Sequence, residues 1–237
     1  SNRFGVSVML DPAEKTQNFL ISFLYFFGVL SISKLTDFGQ IQMRVPNLVT
    51  RGLYVQQLAK FLLPDPVERD DGRAAAQIVF TKGDIAPLCQ FVEQRYFKVF
   101  RNADYRWANE LTVKTAFLTL LYDDIRYIMD SEREIGRGYA DLTMIIRPDM
   151  RQYALLDVLI EFKYVKLSDA GVSGEQAKNL TLEELESLPV MKSKMEEAEE
   201  QVKRYSKELE QKYANLRLKS FAVVSLGFER VWGKLTA

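Results

Sequence analysis

The 237-residue chain contains no histidine and only one cysteine. The lack of histidine excludes serine–histidine–aspartate triads, zinc sites built on imidazole and a histidine general base. One cysteine cannot form an intrachain disulfide, which is compatible with a reducing compartment, so we expect a cytoplasmic protein. Acid–base chemistry in this chain must use carboxylates, lysine, tyrosine or metal-bound water.

The chain also lacks an excess of positive or negative charge and a long apolar run. The 32 Lys and Arg residues balance 32 Asp and Glu residues, so overall charge does not indicate nucleic-acid binding. A bound metal supplies local positive charge without a basic surface. The most apolar segment, residues 19–30, is shorter than the roughly 20 residues that span a bilayer. It predicts a buried core helix and no membrane span, with a membrane-associated segment as the alternative.

Two apolar segments carry the most informative residues of the sequence. Residues 140–146 and 154–160 are each typical of a strand, and turn-forming residues separate them. If the strands form a hairpin, its register places Asp141 opposite Glu161. Lys163 projects from the same face as Glu161 because side chains alternate along a strand. The pattern predicts a divalent-metal site with an amine beside it; the alternative is a sheet edge protected by charges.

A helix predicted over residues 105–122 precedes these strands. At about 100° per residue, Glu110 lies between Phe117 and Leu121, on or beside the apolar side. A carboxylate in that position is costly unless it is paired or bound to metal. Glu110 is therefore either a further metal ligand or the partner of Lys114, one turn later.

A long charged helix is predicted over residues 190–213, after the strands. It carries Gln201 and Tyr205, which share one face because they are four residues apart. A final apolar strand, residues 221–226, is predicted to pair beside the hairpin. Arg137 lies in a glycine-rich stretch before the first strand and is either a phosphate contact or part of a surface salt bridge.

The ordered set resembles the PD-(D/E)XK nuclease superfamily, whose core motif is Asp followed on the next strand by Glu-x-Lys. Asp141, Glu161 and Lys163 match that motif, and Glu110 matches a helix glutamate common among its members. The resemblance implies Mg²⁺, or Mn²⁺ in its place, held by Glu110, Asp141, Glu161 and the backbone carbonyl of Phe162. Lys163 would orient or help deprotonate the attacking water. The implied fold is α/β, a restriction-endonuclease-like mixed sheet flanked by helices.

Two further resemblances support the same interpretation. Gln201 and Tyr205 resemble the Gln-x-x-x-Tyr motif of RecB-type members, which implies that they position the catalytic centre or the nucleic-acid backbone. The stretch around Arg137 resembles the Gly-Arg-x-Asp sequence of many such nucleases, which implies a contact with phosphate. The implied activity is hydrolysis of DNA. The alternatives are a catalytically silent module that binds nucleic acid or protein, and a purely structural interaction protein.

Residues 1–70 are predicted to form a helical or winged-helix-like accessory module before a nuclease-like domain at 71–237, with a linker at 63–72. Residues 28–32 and 45–47, Gly-Val-Leu-Ser-Ile and Val-Pro-Asn, resemble the end of an AAA-ATPase-like domain found in bacteria and archaea. In those proteins a PD-(D/E)XK domain follows directly. The resemblance implies a bacterial or archaeal protein with an ATPase portion before Ser-Asn, where this sequence starts. No P-loop motif occurs, so ATP binding is not assigned to this chain.

Overall fold

The computed structural model describes residues 24–25, 30–35, 39–44, 48–101, 109–135 and 138–236. The chain divides into two compact units, Ser1–Tyr54 and Val55–Ala237. Strands β1 (Ser31–Leu35) and β2 (Ile41–Arg44) of the first unit form an antiparallel pair. Nearly all of the apolar segment 19–30, and all of the Val-Pro-Asn stretch, lie outside the described residues. No helix in the described part of the chain is long and apolar enough to cross a membrane.

Helix α1 (Leu48–Leu62) is followed closely by helix α2 (Pro66–Lys82). Asp65 caps α2 by accepting a hydrogen bond from the Val67 amide at 2.9 Å. Pro66 occupies the first turn, where its missing N–H costs nothing. The predicted linker at 63–72 is therefore wrong over 66–72, because its acidic and proline residues start a helix. The predicted boundary after residue 70 falls inside α2, whereas the division of the sequence into two compact units falls after Tyr54.

The remaining helices frame a central sheet. They are α3 (Ala86–Phe91), a π-helical turn (Val92–Tyr96), α4 (Phe97–Arg101), α5 (Glu110–Leu121), α6 (Leu167–Ala170), α7 (Gly174–Asn179), α8 (Leu182–Ser187) and α9 (Pro189–Lys212). Helix α5 begins later than the predicted residue 105. The Asn109 side chain accepts from the Thr112 amide at 3.1 Å and fixes Glu110 as the first helical residue. The long helix predicted over 190–213 is confirmed as α9.

The sheet has the strand order β3–β4–β5–β6–β7. Its strands are β3 (Tyr127–Ile135), β4 (Gly138–Ile146), β5 (Asp157–Val165), β6 (Leu218–Leu226) and β7 (Arg230–Leu235). Neighbouring strands are antiparallel except β5 and β6, which run parallel. The intervening helix α9 makes this parallel connection possible, because parallel neighbours need a long crossover. The predicted pairing of the final apolar strand beside the hairpin is confirmed.

Helices cover the sheet on both faces. Along β5, Val158, Ile160 and Phe162 belong to a core shared with α2, α3 and α5, whereas Leu159 and Val165 pack in a core built on α9. This division follows from the alternation of side chains along a strand buried on both sides. The prediction of an α/β fold with a mixed sheet flanked by helices is confirmed. Strand β5 consequently lies between α5 and α9, and both helices contribute to the site.

Candidate active site

Asp141 and Glu161 are brought together by the register of β4 and β5. The ladder pairs Leu142 with Ile160, and continuing it by one residue places Asp141 opposite Glu161, as the hairpin prediction requires. Asp141 Oδ2 accepts a hydrogen bond from the Phe162 amide at 2.8 Å. The Asp141 amide lies 3.5 Å from Glu161 Oε2. The two carboxylates are therefore neighbours at one end of the strand pair.

Lys163 completes the motif on the same face of β5 as Glu161. Its Nζ lies 3.2 Å from Glu161 Oε1 and 3.6 Å from Glu197 Oε1 of helix α9. Burial lowers the pKa of Lys163. The carboxylates of Glu161, Glu110 and Glu197 together raise the pKa by more than burial lowers it, so it lies above its ordinary value. Lys163 is consequently an ammonium group at neutral pH. It can donate hydrogen bonds but cannot take up a proton.

Glu161 is 3% exposed, and burial disfavours its ionised form. Burial, followed by the neighbouring Asp141 carboxylate, raises the pKa of Glu161 from its ordinary 4.5 to about 7, although Lys163 acts in the opposite direction. Burial and the Asp141 carboxylate together therefore outweigh the compensation that Lys163 provides. A divalent cation would relieve this repulsion, and carboxylate oxygens are hard ligands that suit Mg²⁺. The chemistry of these two donor groups therefore suits a divalent metal.

Helix α5 brings a third carboxylate and a second lysine to the cluster. Glu110 is half-buried in the first turn; burial and then Asp141 raise its pKa, while Lys163 and Lys114 lower it. Glu110 thus lies within electrostatic range of the motif residues, as its predicted role requires. The Lys114 ammonium contacts Asp141 Oδ1 at 3.0 Å. Phe117, further along α5, packs against the ring of Phe162 with centroids 5.1 Å apart and fixes the helix on β5.

The carboxylates meet ammonium groups in the structure. Lys114 forms an ion pair with Asp141, and Lys163 forms an ion pair with Glu161. Within the described ranges, no group of three or more His, Cys, Asp or Glu side chains is arranged to hold a metal ion. The complete set of metal ligands suggested by the sequence, including the Phe162 carbonyl, stays a prediction.

Gln201 lies one helical turn beyond Glu197 on α9. Its Oε1 is buried and has no hydrogen-bond partner among the described residues. A buried acceptor without a partner is unusual, because buried polar atoms are nearly always hydrogen-bonded. Gln201 therefore offers an acceptor close to the residue that contacts Lys163. Arg137, the predicted phosphate contact, lies outside the described residues.

Tyr205, one turn after Gln201, supports the strand that carries Asp141. The ring of Tyr205 is buried, and its hydroxyl accepts a hydrogen bond from the Arg204 guanidinium at 3.0 Å. A Cβ atom built at Gly138 would lie 2.5 Å from the Tyr205 hydroxyl. Only glycine fits there without a shift of the ring, so Tyr205 packs directly on the first residue of β4. Its contacts are those of a positioning residue.

A cavity of about 610 Å³ lies at the opposite end of helix α5. Thr119 and Leu120 help to line it, and none of the predicted metal ligands does. Two of its guanidinium groups are engaged by the protein: Arg69 donates to two backbone carbonyls, and Arg126 pairs with Asp123. Since the titratable cluster lies at the other end of α5, we place the site there and not in this cavity.

Comparison with protein families shows to which superfamily the chain belongs. A sequence model of the PD-(D/E)XK nuclease superfamily matches residues 108–234, just over half of the chain, from the cap of α5 into β7. The chain belongs to the PD-(D/E)XK nuclease superfamily. The fold is accordingly restriction-endonuclease-like, as predicted. The match includes both α5 and α9, whereas the AAA-ATPase-like resemblance lies outside it. No curated protein and no solved structure matched the chain.

Glu197 was not identified from the sequence, and Lys114 was considered there only as a partner of Glu110. Glu197 contacts Lys163, and Lys114 contacts Asp141. Helical spacing is a signal for each: Glu197 precedes Gln201 by four residues, and Lys114 follows Glu110 by four. Spacing identifies such candidates but not their partners, which belong to other elements of the fold.

Proposed function

We propose that this protein is a Mg²⁺-dependent nuclease that hydrolyses DNA phosphodiester bonds. The observation that carries the proposal is the convergence of Asp141, Glu161 and Lys163 at one end of the β4–β5 pair, in a chain of a nuclease superfamily. Glu110, from the facing helix, adds a third carboxylate within electrostatic range. A sheet edge protected by surface charges does not account for carboxylates that are buried and adjacent.

Asp141, Glu161, Glu110 and the Phe162 carbonyl would hold Mg²⁺, and Mn²⁺ would substitute for it. When bound, the metal lowers the pKa of a coordinated water and stabilises the in-line displacement at phosphorus. The buried, mutually repelling pair of Asp141 and Glu161 supports this assignment, because a dication removes the cost of charging both. Burial also strengthens electrostatic interactions within the site.

Lys163 acts as a positively charged hydrogen-bond donor. It orients the attacking water and offsets the negative charge that develops at phosphate. Glu161 and Glu197 contact its ammonium and define its position. Gln201, whose buried Oε1 has no hydrogen-bond partner among the described residues, and Tyr205, which packs on the start of β4, support the catalytic centre.

DNA is the proposed substrate, with Arg137 as a phosphate contact. The zero net charge implies that affinity depends on local contacts and on the metal more than on a basic surface. The AAA-ATPase-like resemblance of residues 28–32 and 45–47 supports an ATPase portion that acts with the nuclease domain. We further propose a bacterial or archaeal, cytoplasmic setting for the protein.

A catalytically silent binding module is the second candidate. The observation in its favour is that Lys114 and Lys163 already neutralise Asp141 and Glu161 in part. In that case the fold and the charged cluster serve recognition of nucleic acid or protein. The two candidates differ in whether Mg²⁺ or Mn²⁺ produces cleavage.

Circular and linear DNA incubated with Mg²⁺, Mn²⁺ or EDTA test the proposal. We expect metal-dependent cleavage by the wild type and a loss of about 10²-fold or more in Lys163→Met, the size typical of losing one donor to developing charge. Lys178→Met is the matched control, because Lys178 faces the buried Glu229 carboxylate, which is not one of the proposed ligands. It should cleave like the wild type.

Circular dichroism verifies that each variant is folded. Opening of the circle identifies endonuclease activity, and degradation of linear DNA alone identifies exonuclease activity. Undiminished cleavage by Lys163→Met would refute the assigned mechanism. Absence of cleavage under every condition would favour the silent binding module.

A further inference from the structure

Lys114 is a buried lysine to which the proposed reaction assigns no role. Its side chain is 6% exposed, and its Nζ lies 3.0 Å from Asp141 Oδ1, 27 residues further along the chain. An ammonium group buried in this way is costly unless a carboxylate compensates it. The pair joins helix α5 to strand β4 at the position of the carboxylate cluster. Lys114 therefore belongs to the site geometrically.

Both oxygens of Asp141 are engaged in this arrangement. Oδ2 accepts from the Phe162 amide at 2.8 Å, and Oδ1 accepts from Lys114. The Asp141 side chain is itself 15% exposed, so little water screens the interaction. A divalent ion that binds Asp141 then approaches a carboxylate of which one oxygen already has a positive partner and the other accepts from an amide. Like charges a few ångströms apart repel strongly where water is largely excluded.

We propose that Lys114 is a built-in counter-cation of Asp141, which neutralises the site without metal and lowers its affinity for a divalent ion. This inference rests on the proposed function, because the competing ion is the one that the nuclease reaction requires. Lys163 differs from Lys114 in its partners: it contacts Glu161 and Glu197 and leaves Asp141 to Lys114. Lys114 thus acts through Asp141 as a positioning residue that sets metal occupancy.

The competition has a thermodynamic consequence that can be measured without cleavage. Removing the Lys114 charge leaves Asp141 unpaired in the metal-free protein, which destabilises it. The same change removes repulsion toward an incoming dication. Loss of Lys114 should therefore lower stability in EDTA and increase the stabilisation produced by metal, because a ligand that binds the folded state more tightly stabilises it more.

Calorimetric titration of the complete chain with Mn²⁺, without DNA, tests the inference. We expect Lys114→Met to bind Mn²⁺ at least about tenfold more tightly than the wild type, since one positive charge a few ångströms from a dication corresponds to at least that factor. Lys114→Arg retains the charge and should bind like the wild type. Lys178→Met removes a lysine from a different ion pair and should also leave the dissociation constant unchanged.

Thermal unfolding of the same proteins provides the second measurement. Lys114→Met should unfold at a lower temperature than the wild type in EDTA and should show the larger increase when Mn²⁺ is added. If Lys114→Met is unfolded in EDTA, Mn²⁺ should restore its circular dichroism spectrum. Failure of Mn²⁺ to restore the fold would overturn the inference and assign Lys114 a purely structural role.

The outcomes separate this inference from the proposed function. Equal or weaker Mn²⁺ binding by Lys114→Met, with clear binding by the wild type, overturns only the role of Lys114. Absence of Mn²⁺ binding in both proteins overturns the inference and the proposed metal dependence together. Binding by Lys114→Met alone supports the inference, because removal of the counter-cation has then opened the site.

Discussion

Replacement of Glu161 by glutamine should stabilise the protein when no divalent metal is present. In the folded chain, burial and the Asp141 carboxylate raise the pKa of Glu161 from 4.5 to about 7, despite the contact with Lys163. Gln has nearly the same shape and carries no charge. The substitution therefore removes the repulsion between neighbouring carboxylates while Oε1 can still accept from the lysine. Stability should increase although a residue of the proposed site has been changed.

The size and pH dependence of the effect follow from the same shift. Below pH 4.5 Glu161 is protonated in both the folded and the unfolded chain, so its charge costs nothing. Between pH 4.5 and about 7 only the unfolded chain ionises, and the wild type loses stability progressively. Above pH 7 the loss is complete and amounts to about 3 kcal/mol at most, since one pKa unit corresponds to about 1.4 kcal/mol. The difference in free energy of unfolding between Glu161→Gln and the wild type should therefore increase from pH 4.5 to about pH 7.

Urea denaturation in EDTA at pH 4.5, 6 and 8 measures the difference. Glu197→Gln is the matched control, because a hydrogen bond from Lys194, followed by the charges of Lys163 and Lys194, lowers the pKa of Glu197. Neutralising Glu197 should give no such stabilisation at pH 8. A Glu161→Gln protein that is less stable than the wild type at pH 8 would refute the reasoning, since the ion pair with Lys163 would then outweigh the repulsion.

Two further predictions concern the scaffold of the site. Asp157 is fully buried and accepts two hydrogen bonds from Arg151 and two from backbone amides. Asp157→Ala should therefore lower the free energy of unfolding, measured by urea denaturation, by about 3–5 kcal/mol. A decrease below about 1 kcal/mol would contradict the role of this network. Gly138→Ala should cost about 1–3 kcal/mol, because its Cβ would lie 2.5 Å from the Tyr205 hydroxyl. Tyr205→Phe should recover part of that loss in the double variant, and purely additive effects would exclude the clash as the cause.

The register of β4 and β5 could be predicted because the interaction is local in sequence. Two apolar segments separated by turn-forming residues favour a hairpin, and burial of a strand face restricts the possible registers. The same alternation places Glu161 and Lys163 on one face of β5. The helix that carries Gln201 and Tyr205 was equally predictable, since its charged and apolar positions follow helical spacing over 24 residues.

Other elements depended on partners far along the chain. Strand β3 contains charged residues among its apolar ones, and β7 is short; both were missing from the sequence-based prediction. Their strand structure follows from pairing with β4 and β6. The acidic and proline-rich stretch that predicts a linker starts a helix, because Asp65 and Pro66 meet the requirements of a helix start. Strand preference depends more on neighbours than helix preference does.

Composition and motif spacing restrict the residues that can perform the chemistry: without histidine, an Asp and a Glu-x-Lys on adjacent strands leave carboxylates, lysine and a bound metal as the candidates. How these groups are charged and paired depends on the packing of the helices against the sheet. Packing of α5 and α9 on opposite faces of β5 brings Lys114 to Asp141 and Glu197 to Lys163. Electrostatic interactions depend on distance and burial, and both are properties of the packed fold. Motif spacing identified the site, and packing set its electrostatics.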